Sequence, residues 1–259
     1  MKYFTKRFDF SGRNHRKQEI ATFADQTFDL FDDATTKVFE ELIEKLDVIK
    51  TKSTELNSKL SNYVEDNQGI PTPDDIEIFY EMGELGADDY WSMEHLTVLS
   101  EMKIVYLFKS VEITMKSLIH TGYPQINTKD FFQWDIMASY FKSINIKISD
   151  FDGYVEVMEL RKVNNTIKHN NTINDDINKI REFTGETQFT YINIGKFHNR
   201  IKPKIQNFIK LLGQAIIGDL YVFEDRRVEK ISDDFKLRMD EDALKKLANK
   251  LTNGQKPKE

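Results

Sequence analysis

Residues 35–64 read TTKVFEELIEKLDVIKTKSTELNSKLSNYV. Within them Phe39, Leu42, Leu46, Ile49, Ser53, Leu56, Leu60 and Tyr63 recur at alternating steps of three and four. That spacing is a heptad seam of about four repeats, and it predicts one long helix with a narrow apolar edge. Such an edge needs a matching stripe to bury it. The simplest supplier is the next long helix, folded back as an antiparallel hairpin, or the same helix in a second copy.

The flanking sequence is consistent with a helical chain. A break falls at Asn67-Gln68-Gly69-Ile70-Pro71-Thr72-Pro73. Thr72 is placed to cap the helix that follows, Pro73 suits its first turn, and Asp74 and Asp75 suit its positive end. Residues 76–90 read as helix interrupted by Gly83 and Gly86, and 92–120 as a strong helix stopped by Thr121-Gly122-Tyr123-Pro124. Asn127 or Thr128 is expected to cap a helix over 130–143. Ser149 and Asp152 have capping-box spacing ahead of a helix ending at His169. Residues 175–183 read as a polar helix. Gln188-Phe189-Thr190-Tyr191-Ile192-Asn193-Ile194 is the best strand-like stretch, ended by Gly195. A helix is expected over 196–217 with a kink at Pro203. Residues 220–228 are ambiguous, 240–251 read as a short terminal helix and 252–259 as a frayed tail.

Glycine and proline are scarce, at 11 and 5 of 259 residues, and 31% of residues are charged. The expected fold is therefore all-α. Three regions are expected: 1–72 with a basic arm and the heptad helix, 73–217 as a helical bundle, and 218–259 as a C-terminal extension. No cysteine is present, which excludes disulfides, thiolate metal sites and cysteine nucleophiles. The N-terminus lacks the apolar core of a signal peptide and the apolar runs are too short to span a bilayer, so a soluble, cytoplasmic chain without membrane contact is expected.

The net charge of −6 argues against a general nucleic-acid coat. The charge is nonetheless in blocks. Residues 1–18 carry Lys2, Lys6, Arg7, Arg13, Arg16 and Lys17 against Asp9 alone, and 196–210 carry Lys196, Arg200, Lys202, Lys204 and Lys210 with no acid. Residues 25–47 are acidic, with Asp25, Asp29, Asp32, Asp33, Glu40, Glu41, Glu44 and Asp47 against Lys37 and Lys45. These read first as solvated helix faces, and second as a local basic lip for RNA.

The chemistry concentrates in Met158-Glu159-Leu160-Arg161-Lys162-Val163-Asn164-Asn165-Thr166-Ile167-Lys168-His169. Arg161, Asn165 and His169 stand at i, i+4 and i+8, on one helix face, with Lys168 beside them. A cationic donor, an amide and an imidazole facing one way can grip a phosphate and move a proton. The competing structural reading is a helix C-terminal histidine and lysine favoured by the macrodipole. Glu112, between Val111 and Ile113 on an apolar stretch, reads as a partly buried acid. His15, His95, His120 and His198 show no metal-ligand spacing, and Asp32-Asp33 and Asp88-Asp89 read as helix-end or surface charges.

The segments 100–119 and 151–169 resemble the HEPN superfamily of small helical bundles (higher eukaryotes and prokaryotes nucleotide-binding). In that family a later helix ends with an arginine, usually a polar residue, and then a histidine after four to six intervening residues. Here seven residues separate Arg161 from His169. Two assignments stand: Asn164 replaces the arginine, or Arg161 reaches in from one turn earlier. The resemblance spans roughly 92–217 and implies a HEPN-like helical bundle carrying the long-helix hairpin as an N-terminal extension. It further implies metal-independent RNA cleavage or nucleotide binding, without a cofactor, in toxin–antitoxin or antiviral systems. His169 would be the general base or acid, and Arg161 and Lys168 the phosphate-binding cations. Asn164 or Asn165 would be an orienting amide, and Glu112 a further substrate-side group. Expected partners are RNA, a second copy of the chain in a homodimer, and an antitoxin or defence protein. The alternative expectation is a non-catalytic binding module assembled through the seam at 39–63.

Overall fold

The computed structural model describes residues 12–66, 72–127, 131, 133–170 and 172–253, with side chains left aside at 61–66 and 253. The basic residues 1–11, the break at 67–71, the cap expected at Thr128, the seam position Tyr63 and the tail 254–259 therefore lie outside the described residues or side chains. Among the described residues every regular element is helical and no strand occurs, so the fold is all-α. The order is α1 (Arg13–Ala24), α2 (Leu30–Asp66), α3 (Pro73–Gly122), α4 (Trp134–Ser143), α5 (Tyr154–His169), α6 (Asp175–Asn178), α7 (Tyr191–Tyr221), α8 (Asp225–Arg238) and α9 (Glu241–Asn253), with 3₁₀ turns at Ile148–Asp150 and Arg181–Phe183. The chain divides into two compact units, Met1–Ile216 and Ile217–Glu259.

The heptad seam on α2 finds its stripe on α3. Phe39, Leu42, Leu46, Ile49, Ser53, Leu56 and Leu60 are all buried or half-buried. On α3 the corresponding set is Asp75, Ile78, Met82, Leu85, Asp89, Ser92 and Leu96, again at steps of three and four. Thr72 opens α3 through a capping box. Its hydroxyl accepts from the Asp75 amide at 3.3 Å, and Asp75 Oδ2 accepts from the Thr72 amide at 2.6 Å. Lys45 of α2 reaches Asp88 of α3 at 3.1 Å.

The expected interruption at Gly83 and Gly86 does not occur: α3 is one 50-residue helix. Both glycines face open space, where the cost of glycine in a helix is about 1 kcal/mol each, less than the packing of the seam recovers. The strand expected at 188–194 is also absent, because α7 starts at Tyr191. Thr190 and Asn193 cap it reciprocally: the Thr190 amide donates to Asn193 Oδ1 at 2.9 Å, and the Asn193 amide donates to Thr190 Oγ1 at 3.2 Å. Ile194, Phe197, Ile201, Ile205, Phe208, Leu212 and Ile216 then recur at helical spacing and are buried, as is Ile209. Fully burying each such side chain contributes about 1.5–3 kcal/mol, which outweighs the β preference of the first residues. Pro203 is accommodated inside α7.

The start of α5 also differs from expectation. Ser149 and Asp152 form no capping box; Ser149 bonds Asp150 at 3.1 Å, and Asp152 accepts from Lys204 at 3.1 Å and Asn207 at 2.9 Å on α7. The helix opens instead from Gly153, at φ +94°. A Cβ there would lie 2.1 Å from the Lys204 carbonyl oxygen, so only glycine lets α5 start this close to α7. The 130–143 helix begins at Trp134, and the 175–183 helix is one α turn plus a 3₁₀ turn. The ambiguous 220–228 stretch splits between the end of α7 and the start of α8. In the second unit Arg227 binds the Val222 carbonyl at 3.0 Å and Asp219 at 3.5 Å.

Candidate functional site

The period of α5 decides which of its residues meet solvent. Val157, Leu160, Val163, Asn164 and Thr166 are buried, while Asn165, Lys168 and His169 are exposed. Arg161, Asn165 and His169 do share the outer face. Two turns of helix separate the first from the last, about 12 Å along the axis at 1.5 Å per residue. The Arg161 guanidinium is occupied by α4, with NH1 at 3.3 Å from Asp135 Oδ1. Neither Lys168 nor His169 has an ion-pair or hydrogen-bond partner among the described residues. His169 ends the helix, where a cation is favoured by the exposed carbonyls.

Asn164 does not stand where an arginine would meet substrate. It is 1% exposed, its Nδ2 donates to Asn165 Oδ1 at 3.2 Å, and its own Oδ1 is buried with no hydrogen-bond partner. Glu112 is half-buried on α3, as the sequence suggested. No hydrogen bond or ion pair among the described residues joins it to Arg161, Lys168 or His169. One chain thus offers an imidazole with an adjacent ammonium. It does not gather guanidinium, amide and imidazole around one phosphate-sized space.

Charge chemistry is concentrated at two interhelical nodes that the sequence reading passed over. In the first, Asp29 and Asp32 at the start of α2 meet His198 and Lys202 of α7 and Lys103 of α3. Lys202 binds Asp29 and also Asp32 at 2.5 Å; Lys103 lies 3.4 Å from Asp32 and 4.1 Å from the centre of the Phe39 ring. His198, 5% exposed, has Nε2 3.8 Å from Asp32 Oδ2. Burial pushes the His198 pKa below its usual value, reinforced by Lys202 and Lys103 and opposed by Asp32. Burial pushes Asp32 upward, but the hydrogen bond from Lys202 and the nearby charges outweigh it and leave the pKa lowered. The Lys202 hydrogen bond lowers Asp29. Lys202 loses from burial and gains more from the two carboxylates, so its pKa is raised. With His198 neutral, two carboxylates balance two ammonium groups, which suits a structural clamp among α2, α3 and α7.

The second node centres on Arg200 of α7. Its Nε and NH2 hold Glu182 at 2.8 and 2.9 Å, and NH2 also reaches Glu159 of α5 at 2.8 Å. Arg181 binds the same Glu182 at 3.0 Å. Burial pushes the Glu182 pKa upward, but the hydrogen bonds it accepts from Arg200, its own backbone amide and Arg181, together with the Arg200 charge, outweigh it and leave the pKa lowered. The available sequence signal for both nodes was the block pattern of charge. The all-basic 196–210 meets acids from 25–47 in the first, and Glu159 and Glu182 in the second.

Among the described residues no group of three His, Asp or Glu side chains gathers in metal-binding geometry. An open cleft of about 480 Å³ lies between α4 and the start of α5, lined by Ser139, Lys142, Asn145, Lys147, Ser149 and Tyr154 among others, and none of the expected catalytic residues lines it. No helix among the described residues is long and apolar enough to cross a membrane. No family model, curated protein or solved structure matches the chain.

Proposed function

We propose that this chain is a HEPN-like helical binding and assembly module whose motif helix is not by itself an active site. The observation that carries the reading is the Arg161–Asp135 pair. It turns the one guanidinium of the motif toward α4 and leaves His169 two turns away without it. A transition-state phosphate needs preorganised donors around it at hydrogen-bond distance, and a 12 Å separation along one helix, as an order of magnitude, cannot supply them. The burial of Asn164, at 1% exposure, also weighs against it in the arginine's place.

A second reading is a metal-independent endoribonuclease of a toxin or defence system, regulated by an antitoxin or other defence protein. It is favoured by the exposed Lys168 and His169, which have no partner among the described residues and which a second copy would have to complete with its own Arg161. Incubating the full chain with single-stranded RNA in EDTA separates the two. The assembly reading expects intact RNA. RNA cut to 2′,3′-cyclic phosphate ends by the wild type, and left whole by His169→Ala, contradicts it and establishes the second reading.

A further inference from the structure

Among the described residues, the outer face of α3, opposite the α2 seam, is an aromatic stripe without a cover. Ile76, Phe79, Tyr80, Gly83, Ala87, Tyr90, Trp91 and Val98 fall within about one third of the helix circumference at 100° per residue. Tyr80 is 75% and Trp91 58% exposed, and Ile76, Phe79, Tyr90 and Val98 are each about half exposed. Single exposed apolar residues are ordinary, but a row over six turns of one helix, broken by the exposed Glu94 between Trp91 and Val98, marks an interaction surface.

The charge beside the stripe constrains its occupant. From residue 60 to residue 102 the chain has no lysine or arginine. Glu77, Glu81 and Glu84 line one flank of the stripe, beside Asp88, which Lys45 holds. In an antiparallel pairing of this face with itself, those flanks would oppose each other and the acids would repel. A basic segment bearing aromatic anchors fits instead. The chain carries one: residues 1–11, MKYFTKRFDFS, with Lys2, Lys6 and Arg7 against Asp9, and with Tyr3, Phe4, Phe8 and Phe10. Eleven extended residues reach at most about 36–40 Å, and the stripe from Ile76 to Val98 runs about 33 Å, so the lengths agree.

The same arithmetic excludes the arm of the same copy. A cleft lined by Glu19 and Phe23 of α1 and by Ile113, Lys116, Ser117, His120 and Thr121 places α1 beside the far end of α3. From Ile113 back to Ile76 is about 55 Å of helix, beyond the reach of an arm that must also lie along the stripe. We propose that residues 1–11 of one copy dock on the outer face of α3 in a second copy. Aromatic side chains would enter the Phe79–Trp91 stripe, and Lys2, Lys6 and Arg7 would face Glu77, Glu81 and Glu84 or the rings of Tyr80 and Trp91.

This deepens the assembly reading and rests on it. Sedimentation velocity on the full chain, at rising concentration, tests it. Self-association is expected, weakened about tenfold or more by Trp91→Ser, at an exposed side chain, and equally by Phe8→Ser. Lys6→Glu with Arg7→Glu is expected to weaken it, and adding Glu77→Lys with Glu81→Lys is expected to restore it. A chain that stays monomeric overturns the proposal. So does an oligomer sensitive to Trp91→Ser but indifferent to every arm substitution, which would mean that α3 faces pair with each other or with another segment. Either failure leaves the RNA experiment above untouched, so loss of the arm contact and loss of the assembly reading are told apart.

Discussion

Gly153 shows how one residue sets the approach of two helices. At φ +94°, with the Lys204 carbonyl where a Cβ would stand, it admits no side chain without moving α5 or α7. Gly153→Ala is expected to cost at least about 2 kcal/mol of unfolding free energy, read from urea denaturation, from backbone strain and the clash together. His198 is the corresponding point for pH. Its folded-state pKa lies below its unfolded value of about 6.5, so protonation favours the unfolded chain. Stability is full above about pH 6.5 and falls as the pH drops below it. Asp29, Asp32 and Glu182, whose pKa values are lowered in the fold, add a second loss as the pH falls below the ordinary carboxylate range near 4. Unfolding midpoints measured from about pH 8 down to about pH 2 are expected to show both limbs in the wild type, and His198→Gln is expected to flatten the limb that begins below about 6.5. The shared face of Arg161, Asn165 and His169 was legible because it follows from helix period alone. Asp135 as the partner of Arg161, and the inward turn of Asn164, were not. Each depends on where a neighbouring helix passes, which no local spacing records.

At the scale of elements, periodicity carried most of the reading and local chemistry explains the misses. The α2 seam and Thr72 as the cap of α3 are visible in sequence as step pattern and residue type, and both are present. The strand expected at 188–194 failed because Phe189, Tyr191, Ile192 and Ile194 look β-favouring one at a time, whereas the deciding pair was Thr190 with Asn193. A cap with asparagine in place of glutamate is easily passed over. Thr190→Ala is expected to cost about 1 kcal/mol in urea unfolding, by exposing the first amides of α7, with no change in overall helix content by circular dichroism. Gly83 and Gly86 read as a break for a related reason. Their intrinsic cost is local, while the seam that carries α3 through them is long-range.

For the whole molecule, the blocks of opposite charge were the useful clue. The basic 196–210 and the acidic 25–47 meet at the Asp29, Asp32, Lys202 and Lys103 node, so charge that read as solvent-facing binds helices together. What stays uncovered is the aromatic face of α3, and the account stands on that face being a binding surface. Hydroxyl-radical footprinting of the full chain over a range of concentrations tests this most directly, with oxidation of Phe79, Tyr80, Tyr90 and Trp91 read by mass spectrometry. Protection of these side chains is expected to rise with concentration and to be weakened in the Lys6→Glu, Arg7→Glu variant. Oxidation at the same fast rate at every concentration would contradict the account.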